Sequence, residues 1–205
     1  MTKAFLKDAY VLETVDNTRD FYRDWAASYD DEIIENGYQT PRRCAQALAR
    51  YAAHKEASIL DIGCGTGLSG MAFRAEGFMN LTGTDLSQEM IDIAKARDIY
   101  RKVSLADLNK PLDFETASYD VIAAVGVISV GHAPASTIAE IFDKLVQGGL
   151  LVFSINDASI KEGSFIAAID GLLSRPEAEL CEKTYDEHLP KINMKSEVYV
   201  IKKTA

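Results

Sequence analysis

From Ser58 onward, short apolar runs alternate with stretches in which apolar residues recur every three or four positions. The runs Ser58–Ile62, Leu81–Asp85, Lys102–Leu105, Tyr119–Val125 and Leu150–Ile155 predict strands. Helical stretches are expected at about 68–76, 87–96, 135–146 and 159–173. Strands alternating with amphipathic helices imply βαβ units and a parallel sheet. Right-handed crossovers restrict such a sheet to a doubly wound topology. Gly148-Gly149 is expected to cap the helix before the last parallel strand. In the tail, Leu180–Tyr185 and Glu197–Lys202 alternate apolar and polar residues, which predicts a half-exposed antiparallel pair at the sheet edge. Pro190–Asn193 makes a wide connection between them, and Lys202-Lys203 is expected to protect the edge. Residues 1–57 pattern as helices. Asp16-Asn17-Thr18 can cap a helix that places Phe21, Tyr22, Trp25 and Tyr29 on one face. Thr40-Pro41 suits an N-cap followed by Pro at N1, opening a helix to about Ala53. The expected class is α/β: a doubly wound, mostly parallel, seven-stranded sheet with an antiparallel C-terminal edge. A helical cap over 1–57 packs on a core over 58–205, in one compact domain.

Composition narrows the partners. With 205 residues, 47% hydrophobic and 26% charged, the chain can bury one core. A net charge of -9 argues against sequence-independent nucleic-acid binding and against docking to anionic membranes. The first residues lack an apolar core of signal-peptide length, and the longest apolar run, Val121–Ile128, is too short to span a bilayer. Three cysteines without a CxxC pair fit a reduced, cytoplasmic compartment and suggest no metal site.

The chemistry concentrates in Ile59-Leu60-Asp61-Ile62-Gly63-Cys64-Gly65-Thr66-Gly67, an apolar run that reaches an acid and then has glycine at every second position. Such a run ends a buried strand and turns tightly into a helix, with no Cβ atoms to hold a ligand away from the backbone. Asp85, 24 positions past Asp61, ends a second strand. There it either accepts hydrogen bonds from both hydroxyls of a ribose or serves the helix start at Ser87. A literal G-x-G-x-x-G at Gly65-Thr66-Gly67-Leu68-Ser69-Gly70 raises a nicotinamide dinucleotide as an alternative. The register disfavours it, because Asp61 and Gly63 intervene where the helix N-terminus should be free for pyrophosphate. Cys64 inside the loop needs only to be small; no histidine base accompanies it in sequence.

Asp61-Ile62-Gly63-Cys64-Gly65-Thr66-Gly67 resembles motif I of class I S-adenosylmethionine-dependent methyltransferases. Thr84-Asp85-Leu86-Ser87-Gln88-Glu89-Met90, Ala106-Asp107-Leu108, Tyr119–Ile128 and Leu145–Val152 are similar to the segments that follow it in that family. The resemblance is close over about 58–156 and looser over the final strand pair. It implies a Rossmann-like fold, S-adenosylmethionine as donor and S-adenosylhomocysteine as product. It also implies roles. Asp61 would lie near the methionyl amine, directly or through water. Gly63, Cys64, Gly65 and Gly67 would form the loop against the methionyl and ribose parts. Asp85 would bind the 2′ and 3′ hydroxyls, while Leu86 and Met90 offer an apolar surface to adenine. Asp107 would accept from the adenine amino group with Leu108 beside it, and Val125 and Gly126 would line the methyl-transfer site. The segment Phe21–Asp30 is similar to an opening helix in small-molecule members, where Trp25 and Tyr29 fold over the cleft; packing against the sheet edge is the other use for these rings.

A sulfonium donor needs alignment and exclusion of water more than activation. A base is required only if the acceptor must lose a proton. His132, just beyond the fourth strand, is the candidate, with a loop histidine as the alternative. His54 and His188 receive no role. The chain has no Asn-Pro-Pro-Tyr or Asp-Pro-Pro-Tyr after the fourth strand and no Pro-Cys pair. With the acidic charge, this favours a small-molecule acceptor over nucleic acid. A nicotinamide-dependent oxidoreductase and a non-catalytic cofactor-binding protein are the competing expectations.

Overall fold

The computed structural model describes residues 5–6, 15–110 and 114–204. Two helices come first, α1 (Val15–Glu35) and α2 (Thr40–Tyr51). Then β1 (Ile59–Ile62), α3 (Leu68–Ala75), β2 (Leu81–Asp85), α4 (Gln88–Ala96) and β3 (Lys102–Leu105) build one half of the sheet. The other half follows as β4 (Tyr119–Ala124), α5 (Thr137–Asp143), β5 (Leu145–Asn156), α6 (Asp157–Glu162), α7 (Ser164–Leu173), β6 (Ala178–Leu189) and β7 (Met194–Lys203). The seven strands lie in the order β3-β2-β1-β4-β5-β7-β6. β1 to β5 are parallel, and β7 and β6 run antiparallel to their neighbours. The chain winds outward from β1 to β3 and then returns to β4, so β1 and β4 flank the switch point where open α/β sheets hold ligands.

The apolar runs follow from burial on both faces. One face presents Leu60, Ile62, Ile122, Leu151 and Phe153 to α5 and α7; the other presents Ile59, Val121, Ala123 and Val152 to α2 and α3. Strand periodicity of two assigns neighbours along each run to opposite layers.

Several expectations shift. The predicted helix 135–146 shortens to Thr137–Asp143, and Gly148-Gly149 lies inside β5 instead of capping a helix. Pairing there slips from Tyr119↔Leu145 to Val121↔Leu150. Gly148 has φ +79°, and a Cβ on Gly149 would sit 2.9 Å from the Asp120 and Val146 carbonyl oxygens. The glycine pair therefore serves a bulge. The predicted 159–173 helix divides at Gly163, whose φ of +94° ends α6 in the left-handed conformation. Thr40 lies within the first turn of α2, with Gln39 as N-cap. Its hydroxyl instead pairs with His188 Nδ1 at 2.7 Å and Ser196 Oγ at 3.1 Å, tying α2 to the C-terminal hairpin. Helix α1 already begins at Val15, so Asn17 and Thr18 belong to its first turn. Lys202 and Lys203 sit on interior strand β7; the outer edge is β6, which carries Glu179, Glu182, Lys183 and Glu187.

No helix among the described residues is long and apolar enough to cross a membrane. Among those residues no cluster of His, Cys, Asp or Glu is arranged to hold a metal.

Candidate functional site

A cleft of about 810 Å3 opens over the carboxyl ends of β1, β2 and β4. Its floor is the glycine loop after β1. Gly63 and Gly65 have φ of +66° and +53°. A Cβ on Gly63 would run into Val127, whereas one on Gly65 would meet nothing within 4 Å and would project into open space. Gly65 thus leaves a cradle that any side chain would fill. Gly67 and Gly70 serve a different purpose. Tyr100, Ile99 and Arg97 crowd Gly67, and Tyr100 lies directly against Gly70, so the last two glycines of the literal G-x-G-x-x-G are used for packing beneath the cleft.

Asp85 ends β2 and lines the cleft. Its Oδ2 accepts from Gly65 N–H at 2.8 Å and its Oδ1 from Ser87 N–H at 2.9 Å. One carboxylate therefore fixes the glycine loop to the start of α4, where Ser87 is the N-cap. Serving the helix start does not use up the carboxylate, which keeps acceptor capacity that a ligand hydroxyl could use. Burial raises the Asp85 carboxyl above its ordinary value, and the Ser87, Gly65 and Leu86 amides oppose the rise.

Asp61 occupies a different place from the one expected. It is fully buried behind the loop and does not line the cleft. Its Oδ2 accepts from Ser69 Oγ and Tyr100 Oη, each at 2.6 Å, and Gly70 N–H donates to the same phenol oxygen at 3.1 Å. Its Oδ1 has no partner among the described residues. Burial pushes this carboxyl up to about 6, against the pull of the Ser69 and Tyr100 hydrogen bonds; nearby Asp85 adds to the rise. Cys64 also points away, packed against Gly83, and burial holds its thiol well above the ordinary range. A nucleophilic thiolate is not formed there.

The remaining predicted residues divide. Leu86, Met90, Leu108, Val125, Gly126, Tyr29 and His132 line the cleft. Asp107 does not; it accepts from Asn109 N–H at 3.0 Å and pairs with Lys110 at 3.3 Å, while Ala106, Leu108 and Asn109 face the space. Trp25 is buried in an aromatic cluster with Phe5, Tyr22 and Tyr29, and its indole N–H donates to Glu32 at 2.8 Å. It faces a smaller chamber of about 380 Å3. The chamber shares Tyr22, Tyr29, Tyr38, Gly126 and His132 with the cleft, so the two spaces adjoin at the end of β4.

Helix α1 roofs this junction. Asp30 accepts from the Thr66 hydroxyl at 2.6 Å and pairs with Arg97, which also donates to the Thr66 carbonyl. At the other end of the helix, Thr18 Oγ1 donates to Gly131 O at 2.9 Å. The roof is tied to both the glycine loop and the loop after β4.

A family model described as a methyltransferase domain matches residues 37–192. The chain belongs to the class I S-adenosylmethionine-dependent methyltransferases. It is 30% identical over 178 residues to human methyltransferase-like protein 27, covering 85% of this chain and 72% of that one. It is likewise 30% identical over 169 residues to phosphatidylethanolamine N-methyltransferase of Cereibacter sphaeroides, covering 78% and 76%. The fold matches magnesium protoporphyrin IX methyltransferase from Synechocystis PCC 6803, solved with bound S-adenosylhomocysteine. There the TM-score is 0.69 and the identity 14%, over 93% of this chain and all of that one. Shorter matches include 18S rRNA (guanine-N(7))-methyltransferases, so membership in the family does not separate small-molecule acceptors from nucleic acid.

The cleft of this methyltransferase contains residues that sequence reasoning passed over: Thr18, Arg19, Tyr22, Tyr38, Val127 and Ala133. Tyr22 was legible only as one ring on the α1 face. Tyr38 carried no local signal at all. It approaches Gly126 so closely that a Cβ there would strike its hydroxyl.

Proposed function

We propose that this methyltransferase carries its donor on the glycine loop and Asp85, and alkylates a small molecule held in the chamber beside Gly126. The observation that supports this most directly is the pairing of a side-chain-free cradle at Gly65 with a carboxylate that keeps acceptor capacity on both oxygens. In this arrangement Asp85 receives the ribose hydroxyls and Leu86, Met90 and Leu108 give adenine an apolar slot. Asn109, in place of the Asp107 side chain, is the polar residue beside that slot. Asp61 acts from below. It holds Ser69 and Tyr100 and keeps one unpartnered oxygen for a water or ammonium group reaching through the loop. The donor supplies an electrophilic methyl group on a sulfonium; the chain's part is to orient it and exclude water.

A small acceptor is supported by the chamber's cover. Helix α1 closes over it through Thr18 and Asp30. A duplex or folded RNA would have to displace that helix, and the net charge of -9 offers no compensating phosphate attraction. Calorimetry with S-adenosylhomocysteine and NAD+ tests the donor assignment: the first is expected to bind and the second not. Turnover of labelled donor on a metabolite extract, before and after removal of material above a few kilodaltons, tests the acceptor. Label that moves only into RNA or protein would overturn the small-molecule assignment.

A further inference from the structure

We propose that Tyr22 and His132 form a proton relay for a neutral hydroxyl acceptor, in which the Tyr22 phenol touches the acceptor and His132 Nε2 takes the proton in the end. The inference rests on the methyl-transfer reading above.

The geometry sets the direction of the relay. Tyr22 Oη lies 2.6 Å from His132 Nε2, across 110 residues of sequence. On the other side of the ring, Nδ1 lies 3.1 Å from the Val130 carbonyl oxygen and 2.9 Å from Ser129 Oγ. A carbonyl oxygen only accepts, so the Val130 contact is a hydrogen bond only with the hydrogen on Nδ1, and the relay takes that tautomer, with Ser129 Oγ accepting as well. Nε2 then presents its lone pair to Tyr22, and the phenol donates. The ring is held in this orientation by its own turn: His132 N–H donates to Ser129 O at 3.0 Å, and Val130 N–H to Ser159 Oγ at 3.2 Å. Burial lowers the pKa of His132 below its ordinary value, which keeps it neutral and able to accept.

The surroundings choose the acceptor. Tyr22 and His132 border both the donor cleft and the smaller chamber. Among the described residues lining that chamber there is no Asp, Glu, Lys or Arg. An ammonium or carboxylate group would enter without a counter-charge, at a cost that a neutral molecule avoids. The rings of Tyr22, Tyr29 and Tyr38 suit a flat apolar body. A phenol or enol meets these conditions and still needs a base.

The step balances. The acceptor O–H bond breaks and its proton passes to the Tyr22 oxygen as the Tyr22 proton passes to Nε2. The freed oxygen pair forms the new bond to the methyl carbon, and the pair of the old carbon–sulfur bond stays with sulfur. The positive charge lost from sulfur reappears on the imidazole, within the same enclosed space, and leaves as a proton when the product does. Relocation of one charge at close range avoids creating a new buried ion pair.

The test uses the full chain saturated with S-adenosylhomocysteine. Nitrogen-15 spectra of the histidine rings should show Nδ1 protonated and Nε2 as a hydrogen-bonded acceptor for His132. In Tyr22→Phe the Nε2 signal should move to the position of a free acceptor, with Nδ1 and product affinity unchanged. A protonated Nε2, or an Nε2 signal indifferent to Tyr22→Phe, overturns the relay. A second arm offers labelled donor with phenols graded in acidity, together with amines, thiols and carboxylic acids. Tyr22→Phe should lose roughly 100-fold on weakly acidic phenols, the scale of one general base, and little on phenols already ionised. Loss independent of phenol acidity, or methylation confined to the amines, thiols or carboxylic acids, overturns it. If no compound is turned over, the ring spectra decide. Failure of the wild-type chain to bind S-adenosylhomocysteine would instead refute the reading beneath the proposal.

Discussion

Asp85→Ala isolates the acid proposed to hold the donor's ribose hydroxyls. Two terms contribute to its effect. The first is the loss of the two ligand hydroxyl partners. A hydrogen bond to a charged group contributes about 1.5–3 kcal/mol, and removal of a partner from a buried group costs about 1–3 kcal/mol. Both hydroxyls exchange water for carboxylate, so the net loss for the pair is expected near the upper end, about 2–3 kcal/mol, or roughly 30- to 150-fold in affinity. The second term belongs to the protein alone. The Gly65 and Ser87 amides lose their acceptor, which loosens the cradle before any ligand arrives. Asp85→Asn separates the two. Its amide oxygen can satisfy one backbone N–H, while its NH2 group faces the other as a repelling donor. Titration calorimetry with S-adenosylhomocysteine, alongside melting curves of the free proteins, measures both terms. The burial that raises the Asp85 carboxyl adds a signature: affinity should fall on acidification sooner than for an ordinary aspartate, because the protonated acid loses one of its acceptors. An affinity unchanged by Asp85→Ala in a chain that still melts cooperatively would refute the ribose assignment.

Asp61 gives a stability prediction of opposite character. Its carboxyl is held at about 6 against an ordinary 3.8, so the folded chain binds an extra proton between those values. The contribution of Asp61 to stability then falls as pH rises from about 4 to about 6, by on the order of 3 kcal/mol. Asp61→Asn keeps an acceptor for Ser69 and Tyr100 and removes the charge; its melting temperature should be higher than wild type at pH 8 and should lack this slope. A steeper slope in the variant would contradict the account. Gly63→Ala places a methyl group against Val127 at a φ of +66° and should cost about 1–3 kcal/mol in urea denaturation; an unchanged midpoint would show that the loop relaxes freely. Cys44 and Cys64 are buried, and Cys181 is half-buried on the edge strand. A thiol reagent should therefore label Cys181 promptly in the native chain and the other two only on unfolding, as peptide mass mapping would show.

What was legible in the sequence follows from which interactions are local. Parallel strands buried on both faces must be largely apolar runs, so β1 and β4 stood out with their ends nearly correct. Gly148-Gly149 did not, because a glycine pair after a helix has the same local appearance whether it caps the helix or lets a strand bulge around Asp120. Asp61 and Asp85 looked alike as acids at strand ends. Their fates differ through Ser69 and Tyr100, which draw Asp61 inward, and through the Gly65 and Ser87 amides, which hold Asp85 at the surface of the cleft. Helix α1 makes the same point with aromatic rings. Spacing put Tyr22, Trp25 and Tyr29 on one face but left open which of them would meet a ligand. The choice is made by Glu32, seven residues past Trp25, whose carboxylate takes the indole N–H and turns that ring into the wall. Tyr22 is then left to reach His132, and Tyr38 to reach Gly126. The proposed donor half of the site is written within single βα turns, whereas the proposed acceptor half is assembled by contacts of α1 such as Tyr22–His132.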